Sequence, residues 1–320
     1  MLVRFGYVAM SVVVENASPS RTMTAASFMK IQDREAAIRK LERIGAENLH
    51  NTLRLLRHNH AHNIQVYRFT SKLIPLLGHE LLDGWQPFEV LRESFAEIGH
   101  YVRQRDMRVS FHPDHFTVLS TPREDVLINS YNDLDRHVRM LECMELDERA
   151  KCNVHIGGAY QDKAASMSRF LKQFDRLSAR IKSRLTLEND DKTYTAAETL
   201  EVCEQLGVPM VLDIHHHAVN HGGRSCLELW SRIQQTWSGQ RVPPKIHASS
   251  PKSVQSPRSH ADYLDVSELL TFLRGIAGDT EQVDVMIEAK MKDGALFRLM
   301  EELQDADGIE IIDQAAIRVP

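Results

Sequence analysis

The feature that most limits what this chain can become is an alternation that runs its whole length: short apolar, β-prone runs, each followed by a longer stretch with helical spacing. Strands are predicted over Leu2 to Val8, Gln65 to Thr70, Arg108 to Phe111, Cys152 to Ile156, Leu185 to Leu187, Pro209 to Ile214, Lys245 to Ala248 and Val285 to Ala289. Between them lie helical patterns, the first over about Asp33 to Asn63, where Ile38, Leu41, Ile44, Leu49, Leu53 and Leu56 recur at three- and four-residue steps. Further helices are predicted over Phe88 to Gln104, Arg123 to Glu145, 162–182, Thr195 to Leu206, Leu227 to Trp237, Val266 to Ile276 and Gly294 to Leu303. A strand that cannot reach its parallel neighbour by a tight turn needs such a crossover.

Eight strand-helix units are the count of an α/β chain closed as a (β/α)8, or TIM, barrel, expected here as one domain over residues 1–320. No linker or low-complexity segment divides it. An open doubly wound sheet is the second architecture, but no glycine-rich phosphate fingerprint follows the first strand. The apolar runs, such as Val12 to Val14 and Val208 to Leu212, are far too short to span a bilayer, and the first residues lack the pattern of a secretory leader. A cytoplasmic protein is expected. Cys143, Cys152, Cys203 and Cys226 show no paired spacing and are read as reduced thiols.

The polar residues fall where such a barrel does its chemistry, at the C-terminal ends of the strands. His112 follows the third strand, His155 lies in the fourth, Glu188 ends the fifth, and Asp213 with His215 to His217 ends the sixth. Lys245 and His247 lie in the seventh, Glu288 in the eighth, and His79 and His260 in the loops after the second and seventh. Buried imidazoles and carboxylates need partners once water is removed. A mixed set of nitrogen and oxygen ligands suits zinc or manganese, and there are more of them than one ion requires. Ions sharing bridging carboxylates can clamp the attacking and leaving oxygens of a phosphoryl displacement, so phosphodiester hydrolysis is favoured over single-metal chemistry. The net charge of -5 argues against a nonspecific nucleic-acid coat, yet two stretches lack acids altogether. One is Asn48 to His79, with Arg54, Arg57, Arg68 and Lys72; the other is Gly239 to Ala261, with Arg241, Lys245, Lys252 and Arg258.

Several motifs carry a family resemblance: His112-Pro113, Val154 to Tyr160, Leu187-Glu188-Asn189-Asp190, Asp213 with a His three residues on, Lys245-Ile246-His247, Arg258 to Ala261 and Ile287 to Lys290. With Arg4-Phe5-Gly6-Tyr7 at the start, the chain resembles the ultraviolet-damage endonucleases over nearly its whole length. These are metal-dependent TIM barrels related to AP endonucleases and xylose isomerases. The resemblance implies cleavage of duplex DNA on the 5′ side of a cyclobutane dimer or 6-4 photoproduct, leaving a 3′ hydroxyl and a 5′ phosphate. It implies two or three divalent ions, manganese foremost, and neither a membrane nor a nucleotide cofactor; a monomer is expected.

By motif, His79, His112, His155 and Glu188 would hold one ion, and Glu188, Asp213, His247 and Glu288 a second. His216 and His260 would hold a third, near Lys245. Strict strand alternation would put His215 on the face of Asp213, whereas the motif spacing selects His216. Related AP endonucleases carry Asp where Lys245 stands. Either its amine is carboxylated to an anionic ligand, or it is a neutral or phosphate-binding Lys. Where the family has a Gln-Tyr or Gln-Phe lesion probe, this chain has His115 and Phe116, with Tyr7 as the opposing probe. Glu188, Lys245 and Glu288 are thus the catalytic set, the two glutamates as ligands. Lys252 and Arg258, with Arg68 and Lys72 behind them, would position phosphates. The expected mechanism is in-line attack on phosphorus by a metal-activated hydroxide. A sugar isomerase of the same barrel type and a noncatalytic lesion-binding protein are the alternatives.

Overall fold

The structure is a computed structural model that describes Met1–Pro320. In chain order its strands are β1 (Leu2–Val8), β2 (Val66–Arg68), β3 (Arg108–Phe111), β4 (Lys151–His155), β5 (Leu185–Glu188), β6 (Met210–Asp213), β7 (Lys245–Ala248), the antiparallel hairpin β8 (Pro251–Ser253) and β9 (Ser256–His260), then β10 (Gln282–Ile287), β11 (Glu310–Asp313) and β12 (Ala316–Arg318). From β1 to β7 neighbours pair in parallel, β10 follows β7, and β10 pairs back onto β1 from Leu2↔Gln282 to Tyr7↔Ile287. The result is a closed eight-stranded TIM barrel.

Alternation along each strand sorts its side chains. Val3, Phe5 and Tyr7 join the large apolar core shared with the helices, whereas Val8, Val66 and Met286 form a small cluster of their own inside the barrel. Charged groups deeper in the lumen are paired: Arg108 Nη2 donates to Asp284 Oδ1 at 2.8 Å, and Lys151 Nζ to Gln240 Oε1 at 2.7 Å. The wall is tight at Gly6, where a Cβ would lie 2.0 Å from the Val66 carbonyl oxygen. Backbone cannot move aside as a side chain can. Gly6→Ala is therefore expected to cost about 3 kcal/mol of stability, read as a lower urea midpoint; an unchanged midpoint would show that β1 and β2 can part there.

Helix boundaries follow local chemistry. Asp33 caps the Arg34–Ala61 helix by accepting from Glu35 and Ala36 N–H. Thr195 and Glu198 form a capping box ahead of Ala196–Leu206, and Gly207 ends that helix at φ 65°. Two predicted helices are each broken into two, at Leu91 and between Asp175 and Ala179, where Ser178 is extended. The eighth barrel strand starts earlier than predicted, so Glu288 stands one residue beyond its end. Neither the hairpin nor β11 and β12 was expected. β12 runs antiparallel to the first half of β1, while β2 pairs with the second half. No helix is long and apolar enough to cross a membrane.

Candidate metal centre

The strand ends converge on Glu188. Its side chain keeps only 1% exposure, and around it lie His112 Nε2 at 3.2 Å from Oε2, His247 Nδ1 at 3.1 Å from Oε1, and His216 Nδ1 at 3.5 Å from Oε1. His247 Nδ1 also lies 3.1 Å from Glu288 Oε1, and His216 Nδ1 lies 3.6 Å from Asp213 Oδ2. Three groups have ligand atoms close enough for a shared ion: His112, His155 and Glu188; Glu188, Asp213 and His216; and Asp213, His247 and Glu288.

Whether these residues suit metal ions can be tested on their hydrogen bonds. Glu188 Oε1, Asp213 Oδ2, His247 Nδ1 and His260 Nδ1 are all buried without a hydrogen-bond partner. Orphaned polar atoms are costly singly, and four together at the mouth of one barrel call for cations. The donor set is nitrogen and oxygen, which fits manganese or zinc.

Electrostatics point the same way. Burial pushes the Glu188 carboxyl up, but the imidazoles of His247, His155 and His112 outweigh it and hold the group well below the usual range. Glu288 is likewise brought down to about 2 against the effect of burial, by Arg68, whose guanidinium bonds its carboxylate, and by His247. Burial raises Asp213. His216, despite burial, is raised to about 9 by Asp213 and Glu188. A proton on His216 thus offsets negative charge that an ion would otherwise balance.

The choice between His215 and His216 turns on a helix that strand alternation could not anticipate. At Ile214 the chain enters the short helix Ile214–Val219, and Asp213 caps it by accepting from His216 N–H at 2.8 Å. That turn brings His216 to the carboxylates. His215 instead bridges Ser249 Oγ and the Pro257 carbonyl, each at 2.7 Å, and His217 faces a different cavity. His260 lies beside this cluster, its ring centroid 6.5 Å from that of His216.

Other predicted residues are not gathered in. His79 caps the turn Glu80–Leu82 with its Nδ1 accepting from Leu81 N–H, because the loop after β2 carries it outward beside Arg136 and Arg139. It joins none of the three groups. Lys245 precedes His247 by two residues and so sits one layer deeper in the lumen, its Nζ 3.2 Å from Ser110 Oγ. As an ammonium it ligates nothing. Tyr7 corrects the expectation of an opposing probe: fully buried, it donates to Asn59 Oδ1 at 2.7 Å and packs edge-on against Tyr67. Its face of β1 points to the helices.

Phe116 is 72% exposed, with His115 stacked on it at 4.0 Å between centroids. A cavity of about 410 Å³ is lined by His115 together with His112, His155, Asp191 and His216; Phe116 does not line it. Lys252 is exposed, and Arg258 Nε lies 3.5 Å from Asp191 Oδ2. Lys72 is exposed, while Arg68 is committed to Glu288.

Sequence reasoning overlooked the residues that aim the ligands. Asn153 Nδ2 donates to Glu188 Oε2, and Thr186 Oγ1 donates to Asn153 Oδ1 at 2.8 Å. Asn189 binds the Asp213 backbone through both its amide atoms, at 2.9 and 3.0 Å. Asn153 could have been found from its spacing, two residues before His155 and hence on the same face.

The closed barrel with its ligand-rich mouth is thus of the TIM-barrel class that includes endonuclease IV from Thermus thermophilus, a likeness of fold alone (TM-score 0.56, 14% identity, 95% of this chain and 100% of that one). Within that class the match is more specific. The chain belongs to the UV-endonuclease UvdE family, whose sequence model matches residues 3–319. The UV DNA damage endonuclease of Halalkalibacterium halodurans is 43% identical over 99% of both chains, and that of Bacillus pumilus is 43% identical over 96% of both. Among solved structures, SacUVDE superposes with a TM-score of 0.83 at 26% identity, covering 95% of this chain and 98% of that one.

Proposed function

We propose that this protein is a DNA-repair endonuclease that hydrolyses the phosphodiester 5′ to ultraviolet photoproducts in duplex DNA, leaving a 3′ hydroxyl and a 5′ phosphate. The observation that carries the reading is the set of four buried, unpartnered ligand atoms around Glu188 in a chain of this family. Manganese, or zinc, held there would supply activation of water as a nucleophile at neutral pH and neutralisation of charge on the phosphate. His112, His155, Glu188, Asp213, His216, His247 and Glu288 are the residues to hold it, with Asn153 fixing the Glu188 carboxylate; His260 joins none of the three groups but has a buried, unpartnered Nδ1 beside His216 and is the further candidate.

Lys245 would serve as an anionic ligand if its amine were carboxylated. Burial pulls that amine down to about 8, partly opposed by Asp284, which makes the neutral form able to react with carbon dioxide easier to reach than for an exposed lysine. Intact mass of the active, metal-loaded enzyme checks this, and an unmodified Lys245 rejects it.

Phe116 wedges into the stack beside the lesion, with the distorted bases drawn toward the cavity that His115 lines. Stacking of a base on an aromatic ring is worth roughly 1–3 kcal/mol. Phe116→Ala is expected to reduce the preference for damaged over undamaged duplex by about tenfold or more, measured by competition binding. An unchanged preference would remove Phe116 from recognition. The whole reading is tested with duplexes carrying a single cyclobutane dimer, a 6-4 product or an abasic site, with manganese supplied and EDTA as control. Incision 5′ to the photoproduct is expected; no incision of any damaged duplex across divalent metals would refute it.

A further inference from the structure

Between β7 and the Val266–Ile276 helix the chain leaves the barrel as the β8–β9 hairpin, turning at Val254–Gln255. It is exposed along almost its whole length, and Val254 at the tip is 92% exposed, more than any other large hydrophobic residue on the surface. A two-stranded ribbon is marginal alone in water. This one is anchored at its base, where Ala261 N–H donates to the Ser250 carbonyl at 2.8 Å, and again along β9, where His215 ties the Pro257 carbonyl to Ser249. Its free part is thereby held ready in one posture.

The ribbon's chemistry is one-sided. From Pro251 to His260 there is no acid, two cations (Lys252 and Arg258), and four further hydrogen-bonding residues in Ser253, Gln255, Ser256 and Ser259. Arg258 pairs with Asp191 yet keeps 54% of its side chain exposed. Cations flanking a bare apolar tip match a nucleic-acid groove, which offers phosphates at its edges and apolar base surface between them. Ribbons of this kind are known to enter grooves. The hairpin also ends in His260, beside His216, so it starts at the ligand cluster and, with Pro251 paired to His260 at its base, its tip can reach about 10 Å from it, some three phosphate steps along a strand.

We propose that the Pro251–His260 hairpin is a duplex-binding arm: Val254 seats in a groove or against a base step away from the lesion, while Lys252 and Arg258 hold the phosphates on either side of it. The proposal rests on the endonuclease reading and adds a second DNA contact, apart from the Phe116 wedge. Its partner is the duplex flanking the incision point.

The test compares wild type, Val254→Ser and the double variant Lys252→Ala/Arg258→Ala, all full-length with manganese. Incision of a duplex with a single dimer is followed over a range of salt, and hydroxyl-radical footprints are taken on the same duplex. The double variant is expected to raise KM about tenfold or more and to flatten the dependence of log KM on log salt by about 2, one for each lost phosphate contact. Val254→Ser is expected to raise KM several-fold and leave that slope alone. The wild-type footprint should extend about three phosphates beyond the incision point, and this extension should fade in both variants. KM, slope and footprint all matching wild type would overturn the arm while leaving the endonuclease intact. A wild-type protein that incises no damaged duplex would overturn both.

Discussion

Glu188→Gln is expected to lower incision of ultraviolet-damaged duplex by about a thousandfold or more, since metal stabilisation of a phosphoryl transition state is worth several kcal/mol. No other residue has as many roles in the ligand cluster. Glu188 belongs to two of the three candidate ion groups and stands within 3.5 Å of His112, His216 and His247. An amide keeps the shape but offers one neutral acceptor in place of two anionic ones. The glutamine side chain can still meet Asn153, so the barrel should fold. Two measurements separate lost chemistry from lost structure. The melting temperature in EDTA should stay near wild type, while the upward shift produced by manganese should shrink. Wild-type incision by this variant in manganese would remove Glu188 from the site.

Chelation should act on the fold as well as on activity. Ions that bind only the native state stabilise it by about 2.7 kcal/mol at a hundredfold excess over Kd, which for a chain of this size is a rise in Tm of roughly 4 °C. EDTA is expected to abolish incision and lower Tm by that amount, with manganese restoring both. The shift has a pH dependence whose sign follows from His216. Its proton, held to about 9 in the metal-free protein, must leave before the imidazole can ligate. Metal affinity should therefore rise as pH increases from neutrality toward 9, with proton release visible as a buffer-dependent heat in titration calorimetry. Without metal the sign reverses: a raised imidazole pKa contributes stability fully present below the unfolded value of 6.5 and lost as pH climbs through about 9. A Tm indifferent to both EDTA and manganese would mean that the buried donors hold no ion.

The barrel was legible because its strands are short apolar runs, and from the third to the eighth each has an imidazole or a carboxylate at or next to its C-terminal end. Glu188, Asp213 and His247 could be found that way, since burial leaves such groups few explanations. What escaped was whatever does not depend on burial. The hairpin has no apolar alternation, so nothing in the pattern of Pro251 to His260 announced two strands. β11 is exposed along most of its length for the same reason. Asn153 was hidden in plain view, because an amide that aims a ligand has no composition to distinguish it from one on a surface. Tyr7 shows the opposite error. Its place in a motif suggested a probe, but the period of two on β1 had already assigned it, with Val3 and Phe5, to the core.

The pairing of β1 with β10 and β12 has a bearing on how the molecule is made. β1 takes two of its partners, β10 and β12, from strands far later in the chain, and Met1 N donates to the Val319 carbonyl at 2.7 Å. Contacts so distant in sequence form slowly, and an unpaired strand edge invites association with other chains. During synthesis the β1 edge stays open until β10 and β12 have emerged, so aggregation at that edge competes with closure. Joining Met1 to Pro320 and cutting in an exposed loop ahead of β10 would bring β10, β12 and β1 into one short run of chain, and such a permuted chain should refold faster with less loss to aggregates.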